Sequence, residues 1–155
     1  VNEPVKLFFD ECVGAHIAAG LGDFLRKTYG EKHDIRHIRD ILKLGTPDEV
    51  WVPQIAAMGF VLITGDRSKD PKGKKLKLLC VKFQMTQIVF AHSLHSLKSA
   101  EKIRAVIAMW EPISLAAAAP RGARFMIGMS TGPVPKMWEA EVSEEERARA
   151  REYRI

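Results

Sequence analysis

Two short apolar runs of strand length, "VKLFF" at residues 5–9 and "FVLIT" at residues 60–64, set the pattern of the chain. The second has no polar alternation, which is the mark of a strand covered on both faces and usually belonging to a parallel sheet. Between them Val13, Ile17, Leu21, Phe24 and Leu25 recur at helical spacing and predict one helix face, running across Gly14, Gly20 and Gly22. "HDIRHI" at 33–38 reads as a further strand. "GTPDEVW" at 45–51 then announces a helix, with Thr46 as N-cap and Pro47 in its first position. Pro53 should kink or split that helix. A helix around 73–83, a strand in "TQIVFA" at 86–91, a helix from Ser99 to Trp110 and a late strand in "ARFMIGM" at 123–129 follow. Strand and helix alternate, so the expected fold is α/β, a mostly parallel central sheet with helices on both faces. "STGPVP" at 130–135 reads as a connection, and "SEEERARAREYRI" at 143–155 as a charged helix that could dock, serve a partner or fray. The expected division is one domain over residues 1–133 and a charged helical tail over 134–155.

A chain of 155 residues is of a size for a single core. Its 46% hydrophobic and 28% charged residues are those of a folded globular protein, with no internal repeat. No apolar run approaches the ~20 residues of a membrane span and the first residues lack a signal-peptide layout, so a cytoplasmic protein is expected. Cys12 and Cys80 have neither C-x-x-C spacing nor partners enough for a disulfide framework, and read as buried thiols. Charge changes the picture more than composition does. Residues 67–82 carry seven cations (Arg67, Lys69, Lys72, Lys74, Lys75, Lys77 and Lys82) against the single acid Asp70, a local +6. Set against the net +5 of the whole chain, this leaves the remainder near −1. A basic segment directly after an acid at a strand end suits a polyanion, although a solvated helix face would look the same.

Functional groups of an open parallel sheet gather at the carboxyl ends of its strands. Asp10 and Asp66 stand there, and Asp48, in the first turn of the helix leading into the second apolar strand, would face the same edge. Carboxylates brought close raise one another's pKa unless a cation joins them, and Mg²⁺ or Mn²⁺ prefers such hard oxygen donors. A metal so held activates water and stabilises charge on a phosphodiester, with the neighbouring lysines on its backbone. Each acid also has a local reading. Thr46 and Glu49 have the spacing of a capping box, Asp48 and Glu49 suit a helix N-terminus, Asp66 could open an Asx turn, and Asp10 or Glu11 could cap the next helix. His92 and His95, three apart and without a third ligand, read as incidental, and Trp51, Trp110 and Trp138 as core residues. A receiver-type phosphotransfer domain would need a lysine after the last strand, and a haloacid-dehalogenase-like phosphatase an acid where Cys12 stands.

"DEVWVPQIAAMGFVLITGD" at residues 48–66, with Gly59 and Thr64 in place, resembles the signature of PIN-domain ribonucleases, and "KLFFDE" resembles the opening strand of that family. The compact layout is similar to toxins of VapBC-type toxin-antitoxin pairs. The resemblance implies a PIN-like three-layer α/β/α sandwich over residues 1–133 and Mg²⁺- or Mn²⁺-dependent endoribonuclease activity. It further implies that Asp10, Asp48 and Asp66 bind metal and carry catalysis, with Glu11 and Glu49 as weaker metal candidates. Thr64 would orient the acids, and Arg67, Lys69, Lys72, Lys74 and Lys75 would contact substrate. The implied partners are RNA and a small cognate antitoxin; a homodimer is a further candidate, and the short apolar runs give no reason to expect a membrane. Typical members carry a glutamate between the first two acids that has no clear counterpart here, Glu11, Asp40 or Glu49 being substitutes. That gap admits an alternative, a catalytically silent PIN-like module that binds RNA or protein.

Overall fold

The computed structural model describes residues 3–65 and 71–154, with the backbone alone for residues 71–73. Among the described residues the sheet has six strands: β1 Lys6–Phe9, β2 Asp34–His37, β3 Val61–Thr64, β4 Gln87–Phe90, β5 Arg124–Met129 and β6 Pro135–Ala140. Their spatial order is β2-β1-β3-β4-β5-β6, parallel throughout except for the antiparallel β5–β6 pair. Strand periodicity assigns the two cores. Leu7, Phe9, Val61 and Ile63 face one layer, packed with α1 (Ala15–Tyr29), α6 (Ser99–Ala108) and α7 (Trp110–Ala118). Phe8 and Leu62 face the other, packed with α3 (Asp48–Ala57) and α4 (Pro71–Lys82). One-turn helices α2 (Ile38–Ile41) and α5 (His92–His95) follow β2 and β4, and α8 (Glu144–Glu152) lies near the end of the chain.

Several local expectations are revised. Thr46 is not the N-cap of α3: Pro47 holds that position, and the Thr46 hydroxyl donates back to the Lys43 carbonyl at 2.6 Å. The expected T-x-x-E capping box therefore does not form. Pro53 does not split α3 in two, because the one bond it forfeits is to the Glu49 carbonyl in the first turn. Gly59, at φ +84°, turns the chain from α3 into β3, a conformation that favours glycine. The helix expected from Ser99 to Trp110 ends at Ala108, and α7 begins at Trp110. Pro112 has no N–H for the Ala108 carbonyl, so it fits in the first turn of a new helix and not inside a continuous one.

Residues 135–140, which the sequence assigns to the end of the 130–135 connection and to the tail over 134–155, form the edge strand β6 of the sheet. Beyond it the charged helix docks. Ser143 and Glu146 make a reciprocal capping box at the start of α8, Lys77 of α4 pairs with Glu146, and Tyr153 packs on the α3–α4 core. Among the described residues no helix is long and apolar enough to cross a membrane.

Candidate functional site

Connections leave β1 towards β2 and β3 towards β4 in opposite directions, so the carboxyl ends of β1 and β3 border the crevice where a doubly wound sheet receives ligands. Asp10 is the first residue beyond β1, and its N–H donates to the Ile63 carbonyl at 3.3 Å, which holds it to β3. Its Oδ1 accepts from the Cys12 N–H at 2.9 Å and its Oδ2 from the Thr64 hydroxyl at 2.5 Å. The first bond is the local turn its sequence position allows. The second crosses 54 positions of sequence and fixes the carboxylate plane from a fully buried residue of the neighbouring strand. Asp48 opens α3, and its Oδ1 accepts from the Trp51 indole N–H at 2.9 Å. Trp51 is buried against Phe8 with ring centroids 5.6 Å apart, so core packing holds the indole that holds the acid.

Asp10, Glu11 and Asp48 line one open cleft of about 800 Å³, to which α2 and the loop after it contribute Arg39 and Lys43 and the turn after β4 contributes His95. Both aspartates also act on the buried thiol of Cys80. Burial pushes it far up, Arg124 works against this, and the charges of Asp48 and Asp10 both push it further. Cys12, also on the cleft, is driven far up by burial first and by Asp10 second, so without an ion beside it the group is a neutral thiol. Glu49 is turned to Lys75, with Nζ and Oε1 2.8 Å apart; that hydrogen bond pulls the Glu49 carboxyl below its ordinary range and lifts Lys75 above its own. Glu11 is exposed.

His95 is packed against Gly65, where an added Cβ would stand 2.3 Å from its Nδ1. The glycine of "ITGD" is there because an imidazole occupies the space a side chain would need. His92 is exposed and does not line the cleft. Of the basic set named from the sequence, Lys74 is exposed and Lys75 is engaged by Glu49. Asp66, Arg67 and Lys69, and the side chain of Lys72, lie outside the described residues. Arg39, Lys43 and His95 were not singled out for the site by any motif. Only the glycine after β3 hinted at the last of them.

Among the described residues no group of three His, Cys, Asp or Glu is placed to hold a metal ion. The donor chemistry that is described nevertheless suits a hard divalent cation. Each carboxylate oxygen has two lone pairs, so Asp10 and Asp48 keep acceptor capacity after their hydrogen bonds, and these anchor both groups before any ion arrives.

A carboxylate at a strand end and another at a helix start, beside the switch point of a mostly parallel sheet, define an α/β domain built around an oxygen-donor cleft. A family model described as "PIN like domain" matches residues 5–75, which runs from the strand before Asp10, through Asp48 and Thr64, into α4. The fold is a three-layer α/β/α sandwich with a mostly parallel sheet, and over the matched stretch, somewhat less than half of the chain, it is similar to a PIN-like domain. No curated protein and no solved structure matches the chain.

Proposed function

We propose that the protein is a metal-dependent endoribonuclease, working in the cytoplasm as the toxin of a toxin-antitoxin pair. The observation that carries the nuclease reading is the Thr64–Asp10 hydrogen bond, which presents Asp10 at the β1–β3 crevice in the same cleft as Asp48. In this reading Asp10 and Asp48, joined by Asp66, hold Mg²⁺ or Mn²⁺, and Glu11 is near enough along the chain to assist. Bound there, the ion would activate water and stabilise the charge developing on a phosphodiester. Thr64 and Trp51 keep the two aspartates from rotating away, so the oxygens need no reordering when the ion and substrate enter. The toxin role follows from the resemblance to VapBC-type toxins and implies a small antitoxin that covers the cleft.

The test is cleavage of total RNA by protein freed of any co-purified partner. With Mg²⁺ or Mn²⁺ the wild type should cut; Asp48→Asn should abolish cutting while the circular dichroism spectrum is retained. Glu49→Gln should keep much of the activity, since Glu49 faces Lys75. Absence of cutting by the partner-free wild type, or undiminished cutting by Asp48→Asn, would end the nuclease assignment. A second reading, the silent PIN-like binding module, is favoured by the engagement of Asp48 Oδ1 with Trp51 and of Glu49 with Lys75. It predicts RNA binding with no cleavage in any metal.

A further inference from the structure

His37, the last residue of β2, is 1% exposed and uses both ring nitrogens. Its Nδ1 accepts from the Arg39 N–H at 3.1 Å, which leaves the proton on Nε2, and that nitrogen donates to the Val13 carbonyl at 2.7 Å. The Asp40 carboxylate completes a capping box by accepting from the His37 N–H at 2.9 Å. A single turn of helix is marginal by itself, but α2 is held at one end by this box and tied through His37 to the loop after β1 that carries Asp10 and Glu11. Two cations extend from this segment. Arg39 and Lys43 line the cleft, both are exposed, and neither makes an ion pair among the described residues. The contrast with α4 is direct, because Lys75 is matched by Glu49 and Lys77 by Glu146. Among the described residues that line the cleft, the cations outside an ion pair therefore come from α2 and the loop after it, a part of the chain that the basic run at 67–82 does not include.

We propose that Arg39 and Lys43 grip the phosphate backbone of single-stranded RNA in the cleft, with α2 as the rigid wall that positions them beside the aspartates. This rests on the RNA-binding part of the proposed function and not on cleavage. A cleft of about 800 Å³ is the size of a small-ligand pocket and has room for a few unpaired nucleotides of a strand. Arg39, with its planar fork of donors, would take two phosphate oxygens together, and Lys43 would act as a point charge. Cations beside carboxylates also explain how a polyanion can approach acids that would otherwise repel it.

The experiment measures binding of a fluorescent oligouridylate to the full chain as a function of salt, in an Asp48→Asn background that should not cut. Arg39→Gln/Lys43→Gln should weaken binding at least about tenfold and lower the slope of log affinity against log salt by about 0.7 per lost contact. Arg39→Lys should keep the slope but lose affinity. Arg26→Gln/Lys27→Gln, which removes the same charge from the last turn of α1, should leave the slope unchanged. An unaltered slope in Arg39→Gln/Lys43→Gln, or an equal fall in the α1 variant, overturns the assignment. So does competition by polyglutamate as effective as by RNA of the same charge, which would make the wall a site for acidic protein. Cleavage is scored separately with the Asp48-intact protein. Binding without cutting sinks the nuclease and leaves the α2 wall standing, whereas cutting with an unaltered slope sinks the wall alone.

Discussion

Gly65 joins the last residue of β3 to Asp66, and it is hemmed in from two sides. A Cβ there would lie 2.3 Å from Nδ1 of His95 and 3.0 Å from the Cβ of Cys12. The imidazole would have to leave its position on the cleft, and crowding of this kind costs about 1–3 kcal/mol. Gly65→Ala should therefore lower the urea midpoint without changing the slope of unfolding, and Gly65→Ala/His95→Ala should recover most of the loss. Equal stability of wild type and Gly65→Ala would show that His95 is not pressed against the strand end. At the same scale Thr64 and Trp51 illustrate how core residues set up chemistry. One is fully buried and the other nearly so, yet each spends its single polar hydrogen on an aspartate of the cleft.

Between elements, ion pairs attach α4 to both of its partners, through Lys75–Glu49 to α3 and Lys77–Glu146 to α8. For Glu146 burial raises the carboxyl pKa, but the hydrogen bonds from Lys77 and Ser143 and the Lys77 charge prevail and leave it below the ordinary 4.5. A carboxyl depressed on folding contributes stability that is fully present above its unfolded pKa and is lost as the pH falls through the folded one. Docking of α8 should thus hold at neutral pH and weaken from about pH 4.5 downward. Lys77→Gln should be less stable than wild type at pH 7 and should lose less on acidification, read by denaturant midpoints across pH 3–7. Parallel pH profiles for the two proteins would remove the Lys77–Glu146 contact from the account of how α8 is held.

For the whole molecule, the consequence of gathering carboxylates at one crevice is a coupling between ion binding and folding. An ion that binds the native cleft and not the unfolded chain raises the melting temperature in proportion to the logarithm of its concentration above Kd. Mg²⁺ or Mn²⁺ should raise the melting temperature of the wild type, and Asp10→Asn or Asp66→Asn should largely remove that response. An equal metal-induced shift in wild type and variants would dissolve the proposed cluster, whatever the protein does with RNA. The covering antitoxin and the homodimer remain proposals at this scale, measured by what co-purifies with the chain and by its mass in solution.

The strands at 6–9, 61–64, 87–90 and 124–129 were legible because each is an apolar run of strand length between polar or glycine-containing segments. So were α1 and the placing of Asp10 and Asp48 at element ends, since those depend on spacing and on neighbours along the chain. Strand β6 was not, for "PKMWEA" begins with a proline, carries Lys136 and Glu139, and takes its form from the free edge of β5. The break before α7 was visible in principle through Pro112, whose effect depends on which residue precedes it by four. Which side chains meet in the cleft was beyond local pattern. Thr64 reaches Asp10 because β1 and β3 are adjacent in the sheet, and Lys75 is spent on Glu49 because α4 packs beside α3. Arg39 and Lys43 arrive beside the aspartates through a buried histidine 24 residues from the carbonyl it bonds. Spacing along a chain determines which elements form and where acids stand within them; strand order and helix packing decide which charges are neutralised and which face the cleft.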